Sequence, residues 1–236
     1  MSDFEQGTLL YKGKAKTVYG TTDPDRVILH FNDDATAFNG KKHDVVEGKG
    51  ELNVRICKKI FEFLSDEIPM AYERTLNKKE LLQKNVEIIP IEVVVRNKIA
   101  GSLAKRFGKK AGDDLPFPMI EYFFKSDALD DPQLTRNHIA AFNIADKREM
   151  RIIENLALRI NTLLKHFLFV RGIILVDFKV EFGRYYGKIL LADEITPDGA
   201  RLWDIRDGSV LDKDRFRHNL GDMIEGYNII AQRIGA

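Results

Sequence analysis

Charged residues alternate along one predicted strand, IILVDFKVEFG, and this alternation is the clearest chemical signal in the sequence. Because successive side chains of a strand point to opposite faces, Asp177, Lys179 and Glu181 share one face and apolar residues occupy the other. A hairpin centred near Tyr185 would place Asp177 opposite Asp193, so that three carboxylates gather around one lysine. Carboxylates arranged in this way suit Mg²⁺ held against nucleotide phosphates, and an ATP site is the first hypothesis.

The neighbouring residues bear on whether this charged face is buried or solvated. Half-buried antiparallel sheets show the same polar-out alternation, so a solvated sheet face is the alternative. The apolar runs IILV and ILLA on either side favour strands in the middle of a sheet, where charges need partners or a metal. The sequence therefore predicts a buried charged hairpin that turns within residues 183–187.

A basic turn lies near the amino terminus, in LLYKGKAKTVYG. Two short predicted strands flank it and a further strand follows at residues 26–31, which predicts a small antiparallel sheet. Lys14, Lys16 and the Ala15 amide are suited to phosphate groups, and Gly13 lets the backbone approach a ligand closely. The spacing of a Walker A loop is absent from the sequence. A solvated lysine-rich turn is the alternative.

The run IEVVVRNKIAGSL changes from a buried strand to a polar turn and then to a helix start. Arg96 lies where the strand leaves the core, and Ser102 is placed to cap a short helix at residues 103–107. Backbone amides at a helix start form a natural anion site, so phosphate binding by Arg96 and Ser102 is one interpretation. The other is that Ser102 is only a structural cap.

A charged turn, FFKSDALDDP, follows a strand that we predict at residues 119–124. Lys125, Asp127 and Asp131 are expected to project from this turn into a cleft. Charged residues in turns usually only interact with solvent, which is the alternative interpretation.

Helical periodicity is present in three parts of the chain. Residues 51–64 form the first predicted helix, and residues 212–234 contain one or two more. The longest helix follows Asp146, an expected cap with Glu149 three residues on, and its apolar residues recur at helical spacing. This apolar stripe is interpreted as core packing.

Composition excludes several other classes of function. The 236 residues include 37 basic and 36 acidic side chains, so binding to nucleic acid or acidic membranes over a whole face is not expected. A single cysteine, Cys57, excludes an intramolecular disulfide framework, and the histidines lack metal-ligand spacing. With no secretory signal and no apolar run near the roughly 20 residues of a membrane helix, a cytoplasmic protein is predicted.

Six blocks of the sequence, read together and in order, resemble one known family. They are YKGKAKTVYG, PIEVVVRNKIAGSLAKR, FFKSDALDDP, ILVDFKVEFG, LADEITPDGARLWD and DKDRFR. They strongly resemble SAICAR synthetase in its short bacterial form. The resemblance implies an α+β fold with two lobes, related in outline to protein kinases and ATP-grasp enzymes. It places a small antiparallel β-rich lobe at residues 1–90, a larger α+β lobe at residues 91–236, and an ATP cleft between them.

The same resemblance implies roles for individual residues. For the nucleotide, it assigns the ATP phosphates to Lys14, Ala15 and Lys16, and an apolar adenine slot to Val18, Lys84 and Ile88. For the metal and the ribonucleotide substrate, it assigns Mg²⁺ to Glu181 and Asp193, and the substrate to Arg96, Ser102, Asp177, Lys179 and Arg201. Lys125 and Asp127 fall in a motif near the reacting groups, so they join Asp177 and Lys179 as catalytic candidates.

The implied reaction joins L-aspartate to the carboxylated aminoimidazole ribonucleotide CAIR, giving SAICAR, ADP and phosphate in purine biosynthesis. Because a carboxylate is a poor acyl donor, the γ-phosphoryl group would first move onto it, and the aspartate amine would then expel phosphate. Such a transfer needs in-line positioning and charge neutralisation, which explains Lys, Arg and Mg²⁺ without an activated serine or cysteine. Bacterial relatives suggest a homodimer, and the expected partners are small molecules, without nucleic acid or membrane.

Two positions depart from the family pattern, and two other classes of function stay open. Asn39 stands where many relatives carry Asp, and Ser126 where Asn is common. A small-molecule kinase would use the same cleft to phosphorylate a hydroxyl without depending on aspartate. A nucleotide-binding sensor or RNA-binding module would need the charged strands to be mere surface, and the near-neutral charge argues against RNA.

Overall fold

The computed structural model describes residues 4–38 and 40–236, so the departure at Asn39 lies outside the described residues. The strands in chain order are β1 (Gln6–Lys12), β2 (Lys16–Thr21), β3 (Arg26–Phe31), β4 (Asp34–Ala37), β5 (Lys42–Val45), β6 (Tyr72–Asn77), β7 (Glu80–Lys84), β8 (Glu87–Ile88), β9 (Ile91–Lys98), β10 (Asp114–Phe124), β11 (Gln133–Leu134), β12 (Ile173–Tyr185), β13 (Lys188–Ala192) and β14 (Ala200–Asp204). The helices are α1 (Lys49–Leu64), α2 (Gly101–Phe107), α3 (Arg136–Ala141), α4 (Lys147–Phe169), α5 (Asp214–His218) and α6 (Met223–Ile234). A turn of 3₁₀-helix covers Asp127–Leu129.

The first sheet is antiparallel and has the strand order β1, β2, β3, β7, β6. The strand predicted at residues 26–31 is β3, whose Val27 and Leu29 are buried in the core. The basic turn joins β1 to β2, and there the Gly13 amide donates to the Lys16 carbonyl oxygen at 2.9 Å. The prediction of a small antiparallel sheet around this turn is confirmed.

The second sheet has the strand order β11, β10, β9, β12, β13, and β14 and β8 also pair with β12. β12 is 13 residues long and is bordered by paired strands on both sides. Phe178, Val180 and Phe182 on its apolar face are exposed by 1% or less. The prediction that the charged strand lies in the middle of a sheet is therefore confirmed.

The register of the β12–β13 hairpin differs from the predicted one. Glu181 pairs with Ala192, three positions beyond the residue expected opposite it. The predicted pairing of Asp177 with Asp193 is wrong, because Asp177 pairs with Arg201 of β14 on one side of β12.

The turn of this hairpin explains the shift in register. Tyr186 and Gly187 have positive φ angles of 45° and 75°, which is the backbone of a tight two-residue hairpin turn. Gly183 was expected to belong to the turn, but it lies inside β12. A Cβ atom there would approach the Val86 Cβ to 2.8 Å, so this glycine permits close packing of two chain segments.

The helices begin and end close to their predicted bounds. The Asp146 carboxylate accepts hydrogen bonds from the Arg148 and Glu149 amides at 2.7 and 2.8 Å, and the Glu149 side chain accepts from the Asp146 amide at 2.9 Å. This reciprocal pair is the predicted capping box of α4. The carboxy-terminal segment forms α5 and α6, and Cys57 is buried in α1.

The predicted fold class is confirmed: the protein has a two-lobed α+β fold. One sheet is built from residues 6–84 and the other from residues 87–204, while α1 packs against α6 across this division. The exact division of the chain at residue 90 stays a prediction. No helix in the described residues is long and apolar enough to cross a membrane.

Candidate active site

A cavity of about 630 Å³ opens where the β1–β2 turn faces the middle of β12 and the end of β13. The basic turn contributes Lys14, Ala15 and Lys16, and β12 contributes Lys179 and Glu181. Further charged residues line it: Glu92, Lys125, Asp127, Asp131, Asp193, Glu194, Asp198, Lys213 and Arg217. The predicted phosphate, metal and charged-turn residues therefore meet in one cavity.

Lys16 lies between two carboxylates at the inner end of the cavity. Its ammonium group contacts Asp193 Oδ1 and Glu194 Oε2, and its side chain is 13% exposed. Burial by itself lowers the pKa of Lys16, but the carboxylates of Asp193, Glu194 and Glu181 raise it above its ordinary value. These neighbours therefore favour the charged form of Lys16.

Lys179 is also surrounded by carboxylates, although not the three that were predicted. Its Nζ atom donates to Glu181 Oε1 at 2.7 Å and to Glu92 Oε1 at 3.0 Å, and lies 3.9 Å from Asp193 Oδ2. Burial opposes its charge, but Glu181, Glu92 and Asp193 raise the pKa of Lys179 well above its usual value. Glu92 takes the place expected for Asp177: it reaches Lys179 from β9, which pairs with β12 at this point, whereas Asp177 accepts hydrogen bonds from Arg96 and Arg201.

A smaller, mostly apolar slot of about 350 Å³ adjoins the charged cavity. The three residues predicted for adenine, Val18, Lys84 and Ile88, all line it. The other apolar side chains of the slot are Leu10, Val27, Leu29, Val86 and Ala192. Because Lys16, Lys125, Glu181 and Asp193 line both spaces, the slot opens directly onto the charged groups.

A second polar cluster lies further along β12, around Arg96. The Arg96 guanidinium donates to Asp177 Oδ2 at 2.7 Å, to Glu121 Oε2 at 2.5 Å and to Ser102 Oγ at 3.1 Å. Arg201 Nη1 donates to Asp177 Oδ2 at 3.0 Å. Four of the five residues assigned to the ribonucleotide, Arg96, Ser102, Asp177 and Arg201, thus form one network, and these four do not line the cavity that contains the fifth, Lys179.

Ser102 does not have the capping role that the sequence suggested. α2 begins at Gly101, and its cap residue Ala100 makes no side-chain hydrogen bond. Gly101 has φ 53°, and a Cβ atom there would overlap the guanidinium group of Arg201. The absence of a side chain at Gly101 therefore lets Arg201 approach the start of α2, and Ser102 is exposed beside it.

The predicted charged turn does project into the cavity. Lys125 contacts Glu181 Oε2 from this turn, and Asp127 Oδ1 accepts from Lys14 Nζ at 2.7 Å. The Asp131 carboxylate accepts from the Ser126 amide at 2.9 Å and holds the turn in shape. Ser126, the second departure from the family pattern, itself lines the cavity.

Five charged residues of the cavity were not predicted as site residues. They are Glu92, Glu194, Asp198, Lys213 and Arg217. Glu194 and Asp198 lie in LADEITPDGARLWD and Lys213 and Arg217 in DKDRFR, so the motifs contained the signal. Burial lowers the pKa of Lys213, although Asp198 opposes this effect.

The donor set at Glu181 and Asp193 fits a divalent cation. Asp193 is 7% exposed and its Oδ2 atom is buried with no hydrogen-bond partner among the described residues. Glu181 is 1% exposed. In the described part of the chain, no three His, Cys, Asp or Glu residues form a complete metal-binding group. A cation held here would therefore take further oxygen ligands from phosphates or water, as Mg²⁺ does in nucleotide sites.

An apolar slot that opens onto buried lysines and carboxylates is the arrangement of a nucleotide-dependent enzyme that transfers phosphoryl groups. The chain belongs to the SAICAR synthetase family, whose model matches residues 9–234. Enzymes of this family use ATP to join L-aspartate to CAIR in purine biosynthesis. The protein is therefore an ADP-forming carbon–nitrogen ligase.

Individual relatives agree with this assignment. The phosphoribosylaminoimidazole-succinocarboxamide synthase of Rhizobium meliloti is 52% identical over 231 residues, covering 96% of this chain and 91% of the relative. The crystal structure of the synthase from Ehrlichia chaffeensis is 44% identical, with a TM-score of 0.95 over 97% of this chain and 99% of that one. A SAICAR synthetase in complex with ADP is 43% identical, with a TM-score of 0.92 over 95% and 96% of the two chains.

Proposed function

We propose that ATP spans the two connected spaces, with adenine in the apolar slot and its phosphates at the basic turn. The observation that carries this proposal is that Lys16, Glu181 and Asp193 line both spaces. Val18, Lys84 and Ile88 would contact the base, and Lys14 and the Ala15 amide would join Lys16 at the phosphates. A relative of the same fold, a SAICAR synthetase solved in complex with ADP, supports nucleotide binding by this chain.

Mg²⁺ would be held by Glu181 and Asp193. The buried Asp193 Oδ2 atom, which lacks a hydrogen-bond partner among the described residues, supports this role. When bound, the cation neutralises charge that develops on the phosphate oxygens. Lys125 and Lys179, which contact Glu181 from two sides, would remain available to phosphate oxygens on the same face.

The ribonucleotide CAIR would bind along β12, with its phosphate near Arg96, Ser102 and Arg201. Asp177 and Lys179 share one face of the strand, and side chains two residues apart on a strand are separated by roughly 7 Å. A ribonucleotide phosphate near Arg201 would thus leave its base and carboxylate close to Lys179. Asp177, which accepts hydrogen bonds from both arginines, would orient them.

The chemistry proposed for the site proceeds through an acyl phosphate. One carboxylate oxygen of CAIR attacks the γ-phosphorus of ATP in line, and the bond to the ADP oxygen breaks. Lys179, Lys125 and Lys16 are placed to stabilise the charge on the migrating group, and Asp127 keeps the charged turn closed onto Lys14. The neutral amine of L-aspartate then attacks the acyl carbon, the bond from that carbon to the phosphate oxygen breaks, and the amide forms as one amine proton passes to the departing phosphate.

ADP release with CAIR, measured with and without L-aspartate, tests this sequence of steps. We expect SAICAR and ADP to form in equal amounts only when aspartate is present. Release of ADP without aspartate, with transfer of the phosphoryl group to a hydroxyl acceptor, would instead favour the small-molecule kinase. Transfer of ¹⁸O from the CAIR carboxylate into the released phosphate is expected for the acyl-phosphate route, and its absence would contradict that route.

Three further features of the whole protein are proposed from the family resemblance. The nucleotide would contact mainly the lobe of residues 1–90, and CAIR the lobe of residues 91–236. The protein would act as a homodimer in the cytoplasm. Analytical ultracentrifugation checks the dimer, and a sedimentation coefficient typical of a 27.1 kDa monomer at micromolar concentration would contradict it.

A further inference from the structure

The inner part of the active-site cavity carries more negative than positive charge. Four carboxylates face three ammonium groups there: Glu92, Glu181, Asp193 and Glu194 against Lys16, Lys125 and Lys179. A polyphosphate that enters this space meets a surface that repels it, unless a cation enters as well. Charge balance alone therefore couples nucleotide binding to a divalent cation.

Glu92 and Glu194 have no role in the proposed reaction, and Glu194 is the one that contacts the phosphate-binding candidate Lys16. It contacts Lys16 together with Asp193, and its side chain is only 13% exposed. Lys16 therefore has two carboxylate partners where one would satisfy its charge. The Asp193 Oδ2 atom beside this pair is buried without a hydrogen-bond partner among the described residues, which marks the place where a cation would compensate the excess negative charge.

We infer that the negative charge of Glu194 makes nucleotide affinity conditional on a divalent cation. The inference rests on the proposed function, because it requires nucleotide phosphates at Lys16. A phosphate oxygen that accepts a hydrogen bond from Lys16 comes close to both of its carboxylate partners. A cation on Asp193 would offset this negative charge; without one, the phosphates and Glu194 repel each other at short range.

The repulsion depends strongly on the charge of the ligand. ADP carries about three negative charges at neutral pH, and its magnesium complex about one. Because Coulomb energy is proportional to ligand charge, Glu194 opposes free ADP far more than it opposes the magnesium complex. Removing the charge of Glu194 should therefore improve metal-free binding and leave metal-dependent binding almost unchanged.

Isothermal titration calorimetry with ADP, in excess EDTA and in excess Mg²⁺, tests this inference. We expect Glu194→Gln to bind ADP about tenfold more tightly than wild type in EDTA, because one like charge beside the phosphates is removed. The affinity of this variant for ADP in Mg²⁺ should change less than about threefold. The dissociation constant in EDTA divided by that in Mg²⁺ should therefore be lower for the variant than for wild type. Asp114→Asn is the matched control, since it removes the carboxylate of an exposed pair with Lys98 outside the cavity.

The outcomes separate this inference from the proposed function. An unchanged ratio in Glu194→Gln, while Lys16→Ala weakens ADP binding, overturns the inference alone. If Lys16→Ala leaves ADP binding unchanged, the proposed position of the phosphates is wrong. Glu194→Asp, which keeps the charge, should keep the wild-type ratio. The wild-type protein also tests the inference without any variant, because equal affinities in EDTA and Mg²⁺ would overturn it.

Discussion

The lysines nearest the proposed reaction are held by carboxylates from other elements of the fold. Lys16 of β2 contacts Asp193 after β13, Lys125 of the charged turn contacts Glu181 of β12, and Lys179 donates to Glu92 of β9. Such pairs fix the ammonium groups in the cavity without further ordering when a phosphate binds. Removal of one of these carboxylates should therefore change both the position of a lysine and the net charge of the cavity that binds phosphate.

Asp193→Asn should abolish most of the activity while the fold is retained. The substitution removes the carboxylate proposed to bind Mg²⁺, but Lys16 keeps Glu194 as a partner, so no buried cation is left uncompensated. We expect the Mg²⁺ concentration for half-maximal activity to rise at least about tenfold. Steady-state rates over a Mg²⁺ titration, together with thermal unfolding, check this. Near wild-type turnover at the same Mg²⁺ concentration would remove Asp193 from the metal site.

The sequence predicted the residue types of the site better than their pairing. Alternation placed Asp177, Lys179 and Glu181 on one face correctly, because a strand has a fixed two-residue period. Periodicity within one strand could not show which neighbouring strand lies beside each residue. Glu92 was missed for this reason, since it reaches Lys179 from β9, whose pairing with β12 depends on the tertiary fold.

At the scale of elements, the turn between β9 and α2 positions the proposed ribonucleotide phosphate site. Gly101→Ala should disturb it, because the added Cβ atom would overlap the Arg201 guanidinium at a backbone position with φ 53°. We expect the KM for CAIR to rise at least about tenfold, as loss of a charge-assisted contact would cause. The KM for ATP should change little, since the turn does not line the nucleotide cavities.

Steady-state kinetics with each substrate varied in turn check this prediction. Arg201→Ala is the comparison, and it should produce the same selective rise in the KM for CAIR. If Gly101→Ala raised both KM values equally, or neither, the turn would not act through Arg201.

The capping box of α4 offers a prediction for stability that is separate from activity. Asp146→Ala removes two hydrogen bonds to the Arg148 and Glu149 amides and should cost about 1 kcal/mol of unfolding free energy. Because this helix start lies outside both cavities, kcat and KM should be unchanged. Urea denaturation measures the loss of unfolding free energy. Steady-state kinetics at a temperature well below unfolding measure kcat and KM. Asp146→Asn, which can still cap the helix, should lose less stability.

The elements also show where local sequence signals are sufficient and where they fail. The capping box was predicted because its residues are three positions apart and interact only with each other's backbone. The β12–β13 register was predicted wrongly because two glycines bracket the turn and either could form it. Gly183 is instead needed in the strand where Val86 packs against it, and that contact is invisible in the local sequence.

At the scale of the whole molecule, Asp198 connects helices that come from both halves of the chain. Its carboxylate accepts hydrogen bonds from Lys49 and Asn53 of α1 at 2.7 and 2.8 Å, and from Tyr227 of α6 at 2.7 Å. Lys213 Nζ lies 3.8 Å away on the cavity side. The same carboxylate therefore joins the packing of α1 on α6 to the wall of the active site.

The ionisation of Asp198 should stabilise the fold over a defined pH range. Burial by itself raises the pKa of Asp198, but Lys213 and Lys49 hold it well below its usual range. Since the unfolded chain binds a proton at about pH 4, the contribution is complete above that pH. This stabilisation is lost only as the pH falls below about 4 toward the lower pKa that Asp198 has in the folded protein. The protein should therefore lose this stabilisation in acid and keep it at neutral pH.

Asp198→Asn should destabilise the protein by about 3 kcal/mol or more at pH 7, because Lys49 is fully buried and would lose its anionic partner. The double variant Asp198→Asn with Lys49→Met should recover part of this loss, since no unpaired buried cation remains. Chemical denaturation at pH 7 and pH 3 measures the unfolding free energy of wild type and of both variants. The difference between wild type and Asp198→Asn should shrink at pH 3, and an equal loss for single and double variants would show that Lys49 is stabilised by other groups.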